Sequence, residues 1–274
     1  MNFANNPNEL NLLFIGDIVA RPGREAVLAI LPSLKAELNL DIVIANAENL
    51  SGGKGINQKS IDQMVAAGVD VFTGGNHIFS NIKGNALLDD DAYKIIRPAN
   101  YPPEFAGVGY RVVTIKNQPI VVMNFEGNAL MRSSGGNPFV SFDEVYERIS
   151  KDSYEKNPYV IVDFHAEATS EKRAFGFYVD GKVTAVFGSH THVPTADLGI
   201  LPHGTFYVTD AGMVGSHDSV LGVKKEIIVN RFVKGEKTSF SWEYVGEKIF
   251  NAVFVKISAN GSISEFSRCD RVIA

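Results

Sequence analysis

Short apolar runs alternate with stretches of helical spacing along the first third of the chain. LNLLFIG (10–16) is apolar and closes on Gly16-Asp17, as a buried strand would. From Arg21 to Leu38, the apolar positions Ala26, Val27, Ile30, Leu31, Leu34 and Leu38 recur at helical spacing. Pro22 suits the first turn of this helix, whereas Pro32 inside it is expected to kink or split it. DIVIANAE (41–48) predicts a second strand, Lys59–Gly68 a short helix and VDVFTGG (69–75) a third strand. Strands alternating with helices imply right-handed crossovers and a largely parallel sheet.

The pattern then changes. Tyr110–Ile115 and Pro119–Phe125 predict a hairpin joined by KNQ. Phe142–Ser150 reads as helix, YVIVDFH (159–165) as a buried strand, the region near Ser170–Phe177 as a short helix and VTAVFG (183–188) as another strand. TFYVTD (205–210) and three alternating segments, Thr238–Val245, Ala252–Ser258 and Ser262–Arg268, make the tail β-rich. That tail is expected to form a second sheet packed on the first. No linker, repeat or low-complexity segment interrupts the chain. The fold class is therefore α/β, a sandwich of mixed β-sheet and flanking helices. A polar N-terminal tail over 1–9 is expected to precede a single domain over 10–274.

Composition narrows the function. The chain has 274 residues, of which 45% are hydrophobic and 21% charged, enough to bury a core without disulfides or a structural metal. Its net charge of −5 argues against a non-specific nucleic-acid binder. A small phosphate-containing substrate stays open, because a bound metal reverses the local sign. The single cysteine, Cys269, allows neither an internal disulfide nor a zinc ribbon. The N-terminus lacks the layout of a signal peptide and no window is apolar for long enough to span a bilayer, so a cytoplasmic protein is expected.

The chemistry collects where strands end. The first strand ends at Asp17, the second at Glu48-Asn49 and the third at Asn76-His77. Later strands end at His165 and at His190-Thr191-His192. Ligands of α/β sheets bind beyond the carboxyl ends of the strands. Each residue alone has an ordinary alternative: Asp17 a helix cap, Asn49 and Asn76 turn residues, His165 a satisfied core histidine. Their coincidence is more informative, since four of the six histidines lie at such ends. In an extended segment His190 and His192 would face the same way. Eight candidates exceed one metal's usual set of ligands and suit two ions about 3.5–4 Å apart, with Glu48 as bridge. Carboxylate, amide and imidazole donors without thiolate favour Fe, Mn or Zn.

These residues also resemble a family. GD (16–17), GGNH (74–77), DFH (163–165) and GSHTH (188–192) are similar to the motifs of calcineurin-like metallophosphoesterases. Three departures stand out: Val19 where a His is usual, Ala47-Glu48-Asn49 in place of Gly-Asp, and Ile78 where an acid is usual. Those departures resemble the YmdB family of cyclic-nucleotide phosphodiesterases. So do FIGDIVARPGR (14–24), NAENLSGGKG (46–55), IRPANYP (96–102), DFHAEATSEK (163–172), GSHTHVPTAD (188–197), ILPHGTFYVTDAGM (200–213) and DSVLG (218–222).

The resemblance implies a calcineurin-like sandwich and two metal ions, iron first, with manganese or zinc as alternatives. It implies one ion on Asp17, Glu48, Asn49 and His192 and another on Glu48, Asn76, His165 and His190. It further implies hydrolysis of 2′,3′-cyclic nucleotides such as 2′,3′-cAMP by a metal-bridging hydroxide, with His77 as general acid. A homo-oligomer is implied as well; stable nucleic-acid or membrane binding is not. A phosphoesterase with another substrate, or a nucleotide sensor without turnover, remains open. Loops 97–103 and 212–222 are expected to line the pocket, with His217 touching substrate.

Overall fold

The computed structural model describes residues 9–132, 135–152, 154–235 and 238–274. Most of the expected N-terminal tail, residues 1–8, lies outside the described residues. Two large sheets face each other. The first has the order β14–β13–β1–β3–β4: β14 (Ile263–Arg268), β13 (Ala252–Ile257), β1 (Leu10–Ile15), β3 (Ile42–Asn46) and β4 (Val71–Thr73). β1, β3 and β4 are parallel, while β13 and β14 add antiparallel. The second has the order β5–β6–β7–β8–β10–β9: β5 (Tyr110–Ile115), β6 (Gln118–Glu126), β7 (Tyr159–His165), β8 (Ala185–Ser189), β10 (Phe206–Val208) and β9 (Gly199–Ile200). Its centre is parallel, and both edge pairings are antiparallel.

The period of two in each strand builds three apolar layers. Leu12, Phe14, Ile42 and Ile44 of the first sheet meet Ile120, Val122, Ile161 and Phe187 of the second. The Phe14 and Phe187 rings stack at 4.6 Å across this interface. The alternate residues Leu13, Ile15, Val43 and Ala45 pack under α1 (Ala20–Leu38) and α2 (Gln58–Ala67). Val121, Met123 and Val162 pack under α3 (Pro138–Lys151) and α4 (Thr169–Val179). Each large apolar side chain sealed this way contributes about 1.5–3 kcal/mol. A small third sheet runs β15–β12–β11–β2: β15 (Arg271–Ile273), β12 (Lys248–Phe250), β11 (Met213–Ser216) and β2 (Asp17–Ile18).

Several expectations need correction. The tail does not form the second sheet. β13 and β14 extend the first, and the second is drawn from residues 110–208. Pro32 does not split α1, because Pro32 and Leu28, whose carbonyl it cannot satisfy, both face solvent. The hairpin turn is Lys116-Asn117 alone; both have positive φ, 51° and 59°, and Gln118 already belongs to β6. Thr238–Val245 is a strap across the surface rather than a strand, with one isolated bridge, Trp242 to Val223. A fifth helix, α5 (Lys225–Lys234), precedes it. It escaped notice because only Ile228 of its residues is buried.

Candidate metal centre

Both large sheets end their parallel strands at the same edge of the sandwich, and the eight candidate residues gather there. Asp17 stands at the start of β2, just beyond β1. Glu48 and Asn49 follow β3, and Asn76 and His77 follow β4. His165 closes β7, and His190 and His192 follow β8.

The donors form two sets that meet at Glu48. On one side, Asn49 Nδ2 donates to Glu48 Oε1 at 3.0 Å and lies 3.4 Å from His192 Nε2. His192 Nε2 is also 3.8 Å from Asp17 Oδ1. On the other side, His165 Nε2 is 3.3 Å from Glu48 Oε2, 3.3 Å from Asn76 Oδ1 and 3.1 Å from His190 Nδ1. Among the described residues, Glu48, His165 and His190 bring ligand atoms within 4.8 Å of one another. Asp17 Oδ1 is buried without a hydrogen-bond partner, although Oδ2 accepts from the His190 backbone at 3.0 Å. Such an oxygen is free to take a cation or another donor.

His190 and His192 do not face one point. β8 ends at Ser189, and both histidines have positive φ, 98° and 65°. The chain turns between them, so His190 joins His165 while His192 joins Asp17. Two hydrogen bonds hold this uncommon backbone: Asp17 accepts from His190 N–H, and Asp210 Oδ2 accepts from Thr191 N–H at 3.0 Å.

Supporting groups fix the imidazoles. Ser189 Oγ donates to Asp163 Oδ1 at 2.6 Å, so it accepts from His165 Nδ1–H at 2.9 Å. That leaves His165 Nε2 facing the cluster. Asp163 Oδ2 also accepts from Thr73 Oγ1 and from Asn46 Nδ2. Glu167 Oε2 sits 3.0 Å from His190 Nε2 and turns the Nδ1 of that ring inward. Gly75 leaves room for the rings: a Cβ there would come within 2.3 Å of His165 Cδ2 and 2.4 Å of Glu48 Oε2.

The electrostatics ask for positive charge. Burial raises the Asp17 carboxyl above its ordinary value, against the pull of His192 and His165. Burial would raise Glu48 too, but the adjacent His165 wins and holds it well below the usual carboxylate range. His165 resists burial because Glu48 and Asp17 press a proton onto it, up to about 10. Burial and then the charge on His165 push His190 down to about 3. His77 lies below its ordinary value through burial, although Glu48 pulls the other way. The His77 backbone N–H donates to Glu48 Oε2 at 2.8 Å.

A cleft of about 520 Å³ opens over this cluster. Glu48, Asn49, His77, His190 and His192 form its polar end, beside Lys54 and Glu167. Of the loops expected to line it, Val220 and Leu221 do, but 97–103 does not. His217 lies elsewhere, paired with Glu247 at 3.4 Å. Val19, where many metallophosphoesterases have a His, packs with Ala20, Met213 and Trp242 in an apolar cluster.

The model of the YmdB-like protein family matches residues 13–269. The chain belongs to the YmdB-like family. A Bacillus subtilis protein named 2′,3′-cyclic-nucleotide 2′-phosphodiesterase is 40% identical over 225 residues, covering 81% of this chain and 82% of its own. A solved structure described as a novel phosphatase from Mycoplasma pneumoniae superposes with a TM-score of 0.88 at 33% identity, covering 96% of this chain and 94% of that one. The solved structure of a hypothetical protein from Thermus thermophilus also gives 0.88, at 35% identity, covering 97% of this chain and 100% of that one. The YmdB-like chain is thus a phosphoester hydrolase by class, with the metallophosphoesterase fold. Among its described residues, no helix is long and apolar enough to cross a membrane.

Sequence reading missed Lys172 and Asp210, which pair beneath the His190–His192 turn. Their signal was present in the DFHAEATSEK and TFYVTD tracts.

Proposed function

We propose that this cluster holds two transition-metal ions and that the protein hydrolyses 2′,3′-cyclic nucleotides, with residues 10–274 acting as one domain. The observation that carries the reading is Glu48, whose two oxygens each serve one donor set. Asp17, Glu48, Asn49 and His192 would hold one ion. Glu48, Asn76, His165 and His190 would hold the other. The fit is chemical. The partnerless Asp17 oxygen and the proton forced onto His165 both mark a place where the fold favours a cation. The donors are those of iron, manganese or zinc. Turning the Asn49 amide by half a turn presents its oxygen to the same space. Such ions supply Lewis acidity, lowering the pKa of water and offsetting charge on phosphoryl oxygens.

The chain's own residues do the rest. His77 is the proton donor to the departing ribose oxygen, a poor leaving group that requires one. Its backbone tie to Glu48 keeps the imidazole at the rim of the cleft. Ser189 and Glu167 fix the orientation of the His165 and His190 rings. The B. subtilis relative's name supports the cyclic-nucleotide substrate, and β13 pairing with β1 supports one domain. The test is hydrolysis of 2′,3′-cAMP by metal-stripped protein before and after Mn²⁺ or Fe²⁺ is added, with the product identified by chromatography. Metal-dependent release of a single AMP isomer is expected. Metal-loaded protein that cleaves only phosphomonoesters would overturn the substrate assignment.

A further inference from the structure

The cleft has a second wall that metal chemistry does not use. Leu221, Val223, Ile228, Phe232, Phe240 and Trp242 line the cleft beyond the candidate ligands, with Arg231 among them, starting at Leu221 O, 3.3 Å from His192 Nδ1. Apolar surface left open in a cleft needs a reason. Phe232 is 84% exposed and Phe240 48%. The Arg231 guanidinium carbon lies 5.3 Å from the centre of the Phe240 ring.

This wall is built rather than loose. The indole of Trp242 is wedged between two glycine loops: a Cβ on Gly53 would fall 2.0 Å from the indole, and one on Gly222 would fall 3.3 Å from it. Two backbone bonds anchor the strap on either side, Glu243 N–H to Gly222 O and Lys224 N–H to Ser241 O, both 2.9 Å. Phe240 is thereby fixed beside α5, two residues from the wedge. Flat aromatic and apolar surface joined by a guanidinium is the combination that accepts the π-face of a base. The volume suits one nucleotide and is too small for a duplex.

We propose that the wall formed by α5 and the strap is the nucleobase subsite, with Phe240 and Phe232 as the stacking residues that set preference among phosphodiesters. This rests on the phosphodiesterase reading above. The phosphodiester lies at the ligand end, and the base extends toward α5.

The test uses metal-loaded full-length protein and its lone tryptophan as reporter. AMP and ribose 5-phosphate are titrated while Trp242 fluorescence is followed. In parallel, KM and kcat are measured for 2′,3′-cAMP and for a base-free ester, glycerol 1,2-cyclic phosphate. AMP is expected to bind at least about tenfold more tightly than the sugar phosphate. Phe240→Ala should weaken AMP and raise the KM for 2′,3′-cAMP by about tenfold, narrowing the gap to the base-free ester, with Phe240→Tyr restoring it. Phe232→Ala, more exposed still, should act in the same direction. Equal binding of AMP and ribose 5-phosphate overturns the subsite. So do variants that lower the mass of an oligomer without touching base preference, because the wall would then serve a second copy. Base-dependent binding without turnover of any cyclic diester would sink the phosphodiesterase reading and keep the subsite. Turnover of both esters with one KM would do the reverse.

Discussion

Lys172 Nζ lies 2.6 Å from Asp210 Oδ2, and both side chains are sealed from solvent. The ammonium also donates to Ser189 O at 2.6 Å, and Asp210 Oδ1 accepts from Gly212 N–H at 2.8 Å. The pair therefore ties α4 to the end of β8 and supports the turn that presents His190 and His192. Lys172→Met would leave a buried carboxylate alone. A loss of about 3–5 kcal/mol is expected in urea unfolding, with lower metal occupancy at a given metal concentration. Unchanged stability would show that the pair is incidental.

His77 meets Glu48 through its backbone N–H, and its ring lies 3.4 Å from the Asn76 amide nitrogen, so removing the side chain frees that amide but takes away no proposed ligand. His77→Ala should keep its metal, read by elemental analysis. Its kcat on 2′,3′-cAMP should fall by about 10²–10⁴. An aryl diester with a good leaving group should lose far less. Equal losses on both esters would move the proton to another donor.

Gly75→Ala is a packing experiment on the centre. The new methyl group would collide with the His165 ring and the Glu48 carboxylate at once. The far-ultraviolet spectrum should stay native while bound metal drops to a small fraction. A variant that still loads fully would mean that these side chains can give way.

Asp163 supplies a pH signature. Burial, opposed by His165 and by hydroxyl donors, pushes it up to about 6 from 3.8. The folded protein thus holds this proton more tightly than the unfolded chain between those values. By linkage, the Asp163 contribution to stability declines as pH rises from 3.8 to about 6 and is lowest above that. In metal-stripped protein, Asp163→Asn should shrink the difference between urea midpoints at pH 4 and pH 7. An unchanged difference would rule out Asp163 as its source.

Much of the centre was legible because its residues sit where apolar runs stop. Asp17, Glu48, Asn76 and His190 each follow a buried strand and His165 closes one, and parallel strands put such ends together. The geometry inside the cluster was not legible. An alternating His-Thr-His suggests imidazoles side by side, but positive φ at both histidines sends them to different partners. Lys172 and Asp210 look like surface charges until α4 is laid against β8. Phe240, Trp242 and Tyr244 alternate as a strand would. Alternation reports which side is covered, not whether a neighbour offers hydrogen bonds, and here a wedge of indole does the covering.

The candidate ligands come from both halves of the sandwich: Asp17, Glu48 and Asn76 follow β1, β3 and β4 of the first sheet, while His165 closes β7 and His190 and His192 follow β8 of the second. Their meeting depends on the inter-sheet layer in which Phe14 stacks on Phe187. β1, which leads into Asp17, is flanked on one side by β13, made more than 230 residues later in the chain. A half-unfolded chain therefore carries every candidate ligand without the cluster. On the function proposed above, hydrolytic competence arrives only with tertiary closure of the two sheets.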